Sequence, residues 1–169
     1  GSPVVEFNEI IANGNSPIPI AGIACYDSSA RIRFNRITDN NADGKGGGIY
    51  VTGGTPEITG NFIARNSSRN QGGGLYSSGT GVVISNNVIA ANEAVSGGGG
   101  VYMNGGTFTN NTLVANTGQA FVGVVTTFAN NIVTLSDVGV AGVATSFLNN
   151  DVFGNVTDYS ETIMTGING

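Results

Sequence analysis

The sequence predicts an all-β chain wound as a parallel β-helix, a solenoid of about seven coils carrying ladders of asparagine. Three observations predict it. A nine-residue pattern of apolar and Asn positions recurs seven times, a Gly-rich segment recurs between copies, and the composition favours turns over helices, with 28 Gly and 22 Asn among 169 residues.

The pattern is apolar, two residues, Asn, one residue, apolar, two residues, then usually Asn. It reads Val5-Asn8-Ile10-Asn13, Ile32-Asn35-Ile37-Asn40, Ile58-Asn61-Ile63-Asn66 and Ile84-Asn87-Ile89-Asn92 in the first four copies. Phe108-Asn111-Leu113-Asn116, Phe128-Asn131-Val133-Ser136 and Phe147-Asn150-Val152-Asn155 complete it, with Ser136 the one departure. Copies are spaced 27, 26, 26, 24, 20 and 19 residues apart. Between them lie Gly46-Gly47-Gly48-Ile49-Tyr50, Gly72-Gly73-Gly74-Leu75-Tyr76 and Gly98-Gly99-Gly100-Val101-Tyr102. Ala21-Gly22-Ile23-Ala24 fits the same slot in the first copy, and Val124 and Val143 are assigned to it in the short later copies.

Each period thus holds three short alternating segments separated by Gly/Asn turns, too short for helices. A repeat unit of this kind cannot bury its apolar face alone, so coils must stack. Stacking at about 4.8 Å per coil gives a body roughly 34 Å long and aligns Ile and Val as interior columns. A repeated Asn at one turn can hydrogen-bond the coils above and below, and leaving such an amide buried without partners costs roughly 1–3 kcal/mol. The ladder asparagines are therefore structural. A leucine-rich repeat shares the period but needs Leu at most core positions, and this chain has only Leu75, Leu113, Leu135 and Leu148.

Alignment of the first three copies sets Glu6 over Arg33, Glu9 over Arg36, Arg31 over Glu57 and Asp39 over Arg65. Opposite charges on neighbouring strands contribute about 0.2–1 kcal/mol and disfavour slipped registers. Most acids and bases of the first half are spent in this way.

Composition removes several function classes. No His is present, which excludes Ser-His-Asp and Cys-His catalysis and His-ligated metals from this stretch. Six basic against eleven acidic residues do not suit nucleic acid. No run of 18 apolar residues spans a membrane, and Cys25, alone, reads as a small core residue. Gly1-Ser2 reads as a cloning scar, leaving 3–169 as a single β-helix domain expected to be cut short at its C-terminal end.

Two candidate sites remain. In Asp39-Asn40-Asn41-Ala42-Asp43-Gly44, oxygen-bearing Asp39, Asn41 and Asp43 at alternate positions before a Gly match the start of a calcium loop. The twelfth position is Tyr50 instead of a bidentate Glu, so an EF-hand is excluded; the alternative is a polar turn. Tyr50, Tyr76 and Tyr102 recur every 26 residues facing outward, as a glycan platform or as a stabilising aromatic stack. The Gly runs do not form a nucleotide loop, because no G-x-x-x-x-G-K-[ST] occurs. The remaining acids do not line one column, which argues against paired-carboxylate glycan cleavage.

The GGGIY, GGGLY and GGGVY segments, with ITGN, ISNN, FTNN, FANN and FLNN, resemble right-handed parallel β-helix repeat proteins of the pectate-lyase-like class. The G-G-x-[ILV] and F-x-x-N elements are similar to those of polymorphic outer-membrane proteins. The resemblance implies right-handedness, a secreted or cell-surface location, and adhesion, scaffolding or polysaccharide contact. The leading expectation is a non-catalytic, adhesin-like module with no required cofactor, partnered by polysaccharide or a surface protein. The alternative is a fragment of a polysaccharide lyase or hydrolase whose catalytic residues lie elsewhere. Unpaired coil ends also allow end-to-end self-association.

Overall fold

The structure, a computed structural model, describes residues 2–14, 19, 22–164 and 167–168, with side chains as far as 160. It is an all-β parallel solenoid: every strand pairing among the described residues is parallel, and each strand pairs with its counterpart one coil away. The first face stacks Val4–Glu6, Arg31–Arg33, Glu57–Thr59, Val83–Ser85 and Thr107–Thr109. The second stacks seven strands from Glu9–Ile11 to Asp151–Phe153. A third, two residues wide, holds Asn41–Ala42, Ser67–Ser68 and Glu93–Ala94. The fourth begins with Ile23–Tyr26, Ile49–Thr52, Leu75–Ser77 and Val101–Asn104.

The third face departs from the expected three strands per coil. Its members follow directly on the second ladder Asn, and the pairs Asn41-Ala42 and Ser67-Ser68 are too short to carry an alternation that announces a strand. The face ends at Glu93–Ala94. Beyond it the coils shorten to 20 and 19 residues, and one strand, Gln119–Ala129, pairs with both Val101–Asn104 and Thr107–Thr109. Val138–Leu148 repeats that arrangement. Coil length thus falls by deleting a corner and fusing the fourth face to the next first face.

This fusion corrects one assignment. Phe121 and Val140, not Val124 and Val143, continue the Ile49–Leu75–Val101 column, and Val124 is exposed. Without a Gly triplet in the short coils, no motif marks where the fourth face begins.

The core is a set of columns. Ile32, Ile58 and Ile84 stack into Phe108, Phe128 and Phe147, whose rings pile at 5.4 and 5.2 Å. Phe121 meets Phe128 edge-on at 4.8 Å. On the second face Ile37, Ile63, Ile89, Leu113 and Val133 form a parallel column of fully buried side chains.

Both Asn ladders form as expected. Asn8, Asn35, Asn61, Asn87, Asn111, Asn131 and Asn150 link in series, each backbone N–H donating to the Oδ1 of the next at 2.9–3.0 Å. The second ladder runs Asn13, Asn40, Asn66, Asn92, Asn116, Ser136 and Asn155, with Ser136 accepting through Oγ at 3.2 Å. The residue before every ladder position is left-handed, with φ from 52° to 67°. Gly and Asn suit that conformation, but Phe7, Phe34, Arg65 and Leu135 also adopt it. The ladder bonds over-determine these turns, and that is how such strain persists.

The Gly triplets have two separate causes. Gly72 is left-handed at φ 69°, whereas a Cβ on Gly74 would sit 2.6 Å from the Gly100 carbonyl oxygen of the next coil. The first glycine is needed for its backbone angle, the last for close approach of the coils.

Candidate functional site

One register column on the outer surface of the fourth face runs Ala24, Tyr50, Tyr76, Tyr102, Val122, Ala141 and Ser160. Within it Tyr50 and Tyr76 stack at 5.3 Å and 10°, and Tyr76 and Tyr102 at 5.5 Å and 13°. Tyr26, from the adjacent column, leans on Tyr50 at 5.7 Å, tilted by 51°. The Lys45 ammonium caps Tyr76, 4.4 Å from the ring centre and donating to its Oη at 3.0 Å.

This geometry decides how much ring surface is available. Rings stacked nearly parallel cover one another's faces, and Tyr76 is only 8% exposed. The three tyrosines therefore act along most of their length as a cross-rung aromatic stack, worth about 0.5–1.5 kcal/mol per pair beyond burial. The stack ends at Tyr102, where the next rung supplies Val122.

Below Tyr102 lies an open groove of about 370 Å³, lined by Tyr102, Gln119, Val122, Gly123, Val124, Ala141, Gly142 and Ser160. It arises from two features of the sequence. Side chains shrink down the column from Tyr to Val, Ala and Ser, and the coil loses its third-face corner at the same level. The overhanging loop reaches Gln119: a Cβ on Gly97 would lie 3.0 Å from its Oε1. Among the described residues no charged side chain lines the groove. Sequence reasoning missed it because assigning Val124 to the Gly-triplet slot displaced the late coils by three residues; a register starting from Tyr102 would have exposed the run of shrinking side chains.

The loop of Asp39, Asn41 and Asp43 is organised by ion pairs. Arg65 grips Asp39 with two hydrogen bonds, Nε to Oδ1 at 2.8 Å and Nη2 to Oδ2 at 2.7 Å. That guanidinium holds the Asp39 carboxyl below its ordinary range. Arg69 Nε lies 3.0 Å from Asp43 Oδ1, a pair the alignment had not anticipated. Asn41 is exposed and starts the third face, paired in register with Ser67. A hard cation here would compete with two arginines for both carboxylates.

The other aligned pairs also form, Arg33 with Glu6 at 2.6 Å, Arg31 with Glu57 at 3.4 Å and Arg36 with Glu9 at 3.8 Å. All five arginines are thus paired between rungs. Among the described residues no three His, Cys, Asp or Glu side chains gather closely enough to hold a metal. The chain matches no protein-family model, no curated protein and no solved structure.

Proposed function

We propose that this chain is a non-catalytic repeat module of an extracellular or cell-surface protein. It acts as a rigid adhesin-like stalk whose outer faces contact glycans or partner proteins, within the pectate-lyase-like β-helix class that its motifs resemble. One observation carries the reading: the polar side chains that recur do so as parts of the scaffold. The two ladders engage their side chains from coil to coil, and the arginines are engaged by acids one rung away. A surface organised for rigidity suits display and spacing better than turnover.

Affinity electrophoresis against acidic and neutral polysaccharides, with calcium and then with chelator, tests it. The expected result is retardation on at least one polymer with no new reducing ends. Unsaturated products or new reducing ends from any polymer would overturn the reading in favour of a lyase or hydrolase fragment. Retardation that chelator abolishes would direct attention to Asp39, Asn41 and Asp43.

A further inference from the structure

We propose that the groove below Tyr102 is a binding site for one neutral pyranose unit, stacked on the Tyr102 ring and held at its rim by the Gln119 carboxamide. The inference rests on the glycan-contacting reading and narrows it to one place and one ligand chemistry.

The argument starts from the column itself. Three parallel rings define a stack with a spacing of 5.3–5.5 Å, and the rungs below Tyr102 continue in register but carry smaller side chains. Over Val122 and Ala141, a flat ligand parallel to Tyr102 would extend the stack into space the protein leaves open. A groove of about 370 Å³ falls within the usual range of small-ligand pockets, roughly 300–1,000 Å³. A pyranose fits such a place physically: its axial C–H bonds present a weakly positive face to the negative face of an aromatic ring.

The lining selects the ligand's charge and rim. Among the described residues it holds no Lys, Arg, Asp or Glu, so an ionised sugar would lose water without gaining a counter-charge from them. The half-buried Gln119 carboxamide stands at the groove edge with two donors and an acceptor, and none of its hydrogen-bonding groups has a protein partner among the described residues. An aromatic ring in the groove would leave that amide desolvated and unpaired, whereas the hydroxyls of a sugar would satisfy it. The combination of a floor of small side chains, one ring face and an unpaired amide favours a neutral sugar over either alternative.

Saturation-transfer NMR tests this with the methyl pyranosides of glucose, galactose, mannose and N-acetylglucosamine as probes, and methyl galacturonide and phenol as comparators. The protein is expected to transfer saturation to the ring protons of at least one neutral glycoside. Val122→Tyr should abolish that signal with the melting temperature unchanged or raised, because it extends an aromatic stack already present in the three rungs above. Gln119→Ala, at a partly exposed position, should weaken the signal without touching the stack. No transfer to any of the four neutral glycosides would overturn the proposal, as would a signal undiminished in Val122→Tyr and Gln119→Ala. So would a groove-dependent signal confined to galacturonide or phenol. Polysaccharide retardation that survives Val122→Tyr would place glycan contact on another face, leaving the stalk reading standing while the groove proposal fails.

Discussion

Replacing Asn87 with Ala is the sharpest probe of the ladder. The Asn87 Nδ2 donates to Ile58 O at 2.9 Å, Ser85 O at 3.0 Å and Asn111 Oδ1 at 3.0 Å. Its Oδ1 accepts from Asn61 N at 2.9 Å and Asn61 Nδ2 at 3.0 Å. Alanine removes all five bonds and takes the ladder acceptor from the buried Asn61 N–H. That orphaned donor costs about 1–3 kcal/mol and the four other lost bonds about 1 kcal/mol each, about 5–7 kcal/mol in all, which relaxation of the turn brings down to about 3–5 kcal/mol. For a chain of this length that corresponds to a fall in Tm of about 10 °C. The control is Asn86→Ala, one residue earlier, exposed and left-handed at φ 58°. Alanine already occupies the equivalent turn at Ala91 and Ala115, so this control should lose no more than about 1 kcal/mol. Urea denaturation followed by circular dichroism compares the two midpoints. Equal losses would refute the assignment of stability to the inward amide.

Ser136→Asn should stabilise by about 1 kcal/mol, because an amide there can accept from both Asn116 N and Asn116 Nδ2, whereas the serine takes only the first; a lower urea midpoint would mean that the shortened coil has no room for it. Acid sensitivity should report the Asp39–Arg65 pair. Arg65 lowers the Asp39 pKa in the folded chain, so the pair's contribution is present above the ordinary carboxylate value of 3.8 and lost as pH falls through the lowered folded value. Asp39→Asn should therefore show a smaller drop in stability between neutral pH and pH values below 3.8, and an unchanged drop would remove the pair from the account. Calcium should raise the melting temperature of an Arg65→Gln/Arg69→Gln variant more than that of the parent, since both carboxylates are then released. An equal rise in both would show that the arginines do not guard the loop.

Much of this fold was legible because its rules are local and repeated. The spacing of Asn8, Asn35 and Asn61 gave the register, and the register gave the Glu6–Arg33 and Asp39–Arg65 pairs. The left-handed turns at Phe7, Phe34 and Leu135 were not legible, because the residue types there oppose the conformation and only the ladder behind them enforces it. The third face was hidden for a different reason: two-residue rungs such as Ser67-Ser68 are too short to carry a period. At the candidate sites, the outward Tyr column could be read from the sequence, but the coverage of ring by ring could not. The groove depended on where the fourth face begins once the Gly triplets stop, and no motif in the sequence records that.

Register in a repeat of this kind needs more than the ladder, because one asparagine is chemically the same as the next and a coil slipped by a full period would re-form most of the same bonds. The chain breaks that degeneracy with two devices in different parts of its length. From Glu6 to Arg69, pairs of opposite charge occupy specific rungs, so a one-coil slip would set Arg36 against Phe62's successor Val88 and leave Glu6 facing Thr59 instead of Arg33. Each exposed pair is worth only about 0–1 kcal/mol, so their contribution lies in choosing among registers more than in raw stability. After Arg69 no basic residue remains, and the task passes to size. Phe108, Phe128 and Phe147 fill the interior column where Ile32, Ile58 and Ile84 sit above, and a one-coil slip would force a Phe into an Ile-sized rung and leave an Ile in a Phe-sized one. The changeover coincides with the loss of the third-face corner and with the end of the tyrosine stack. Register by packing therefore begins at the step that creates the groove, with the Ile84 coil lying between it and the last charge pair, Asp43–Arg69.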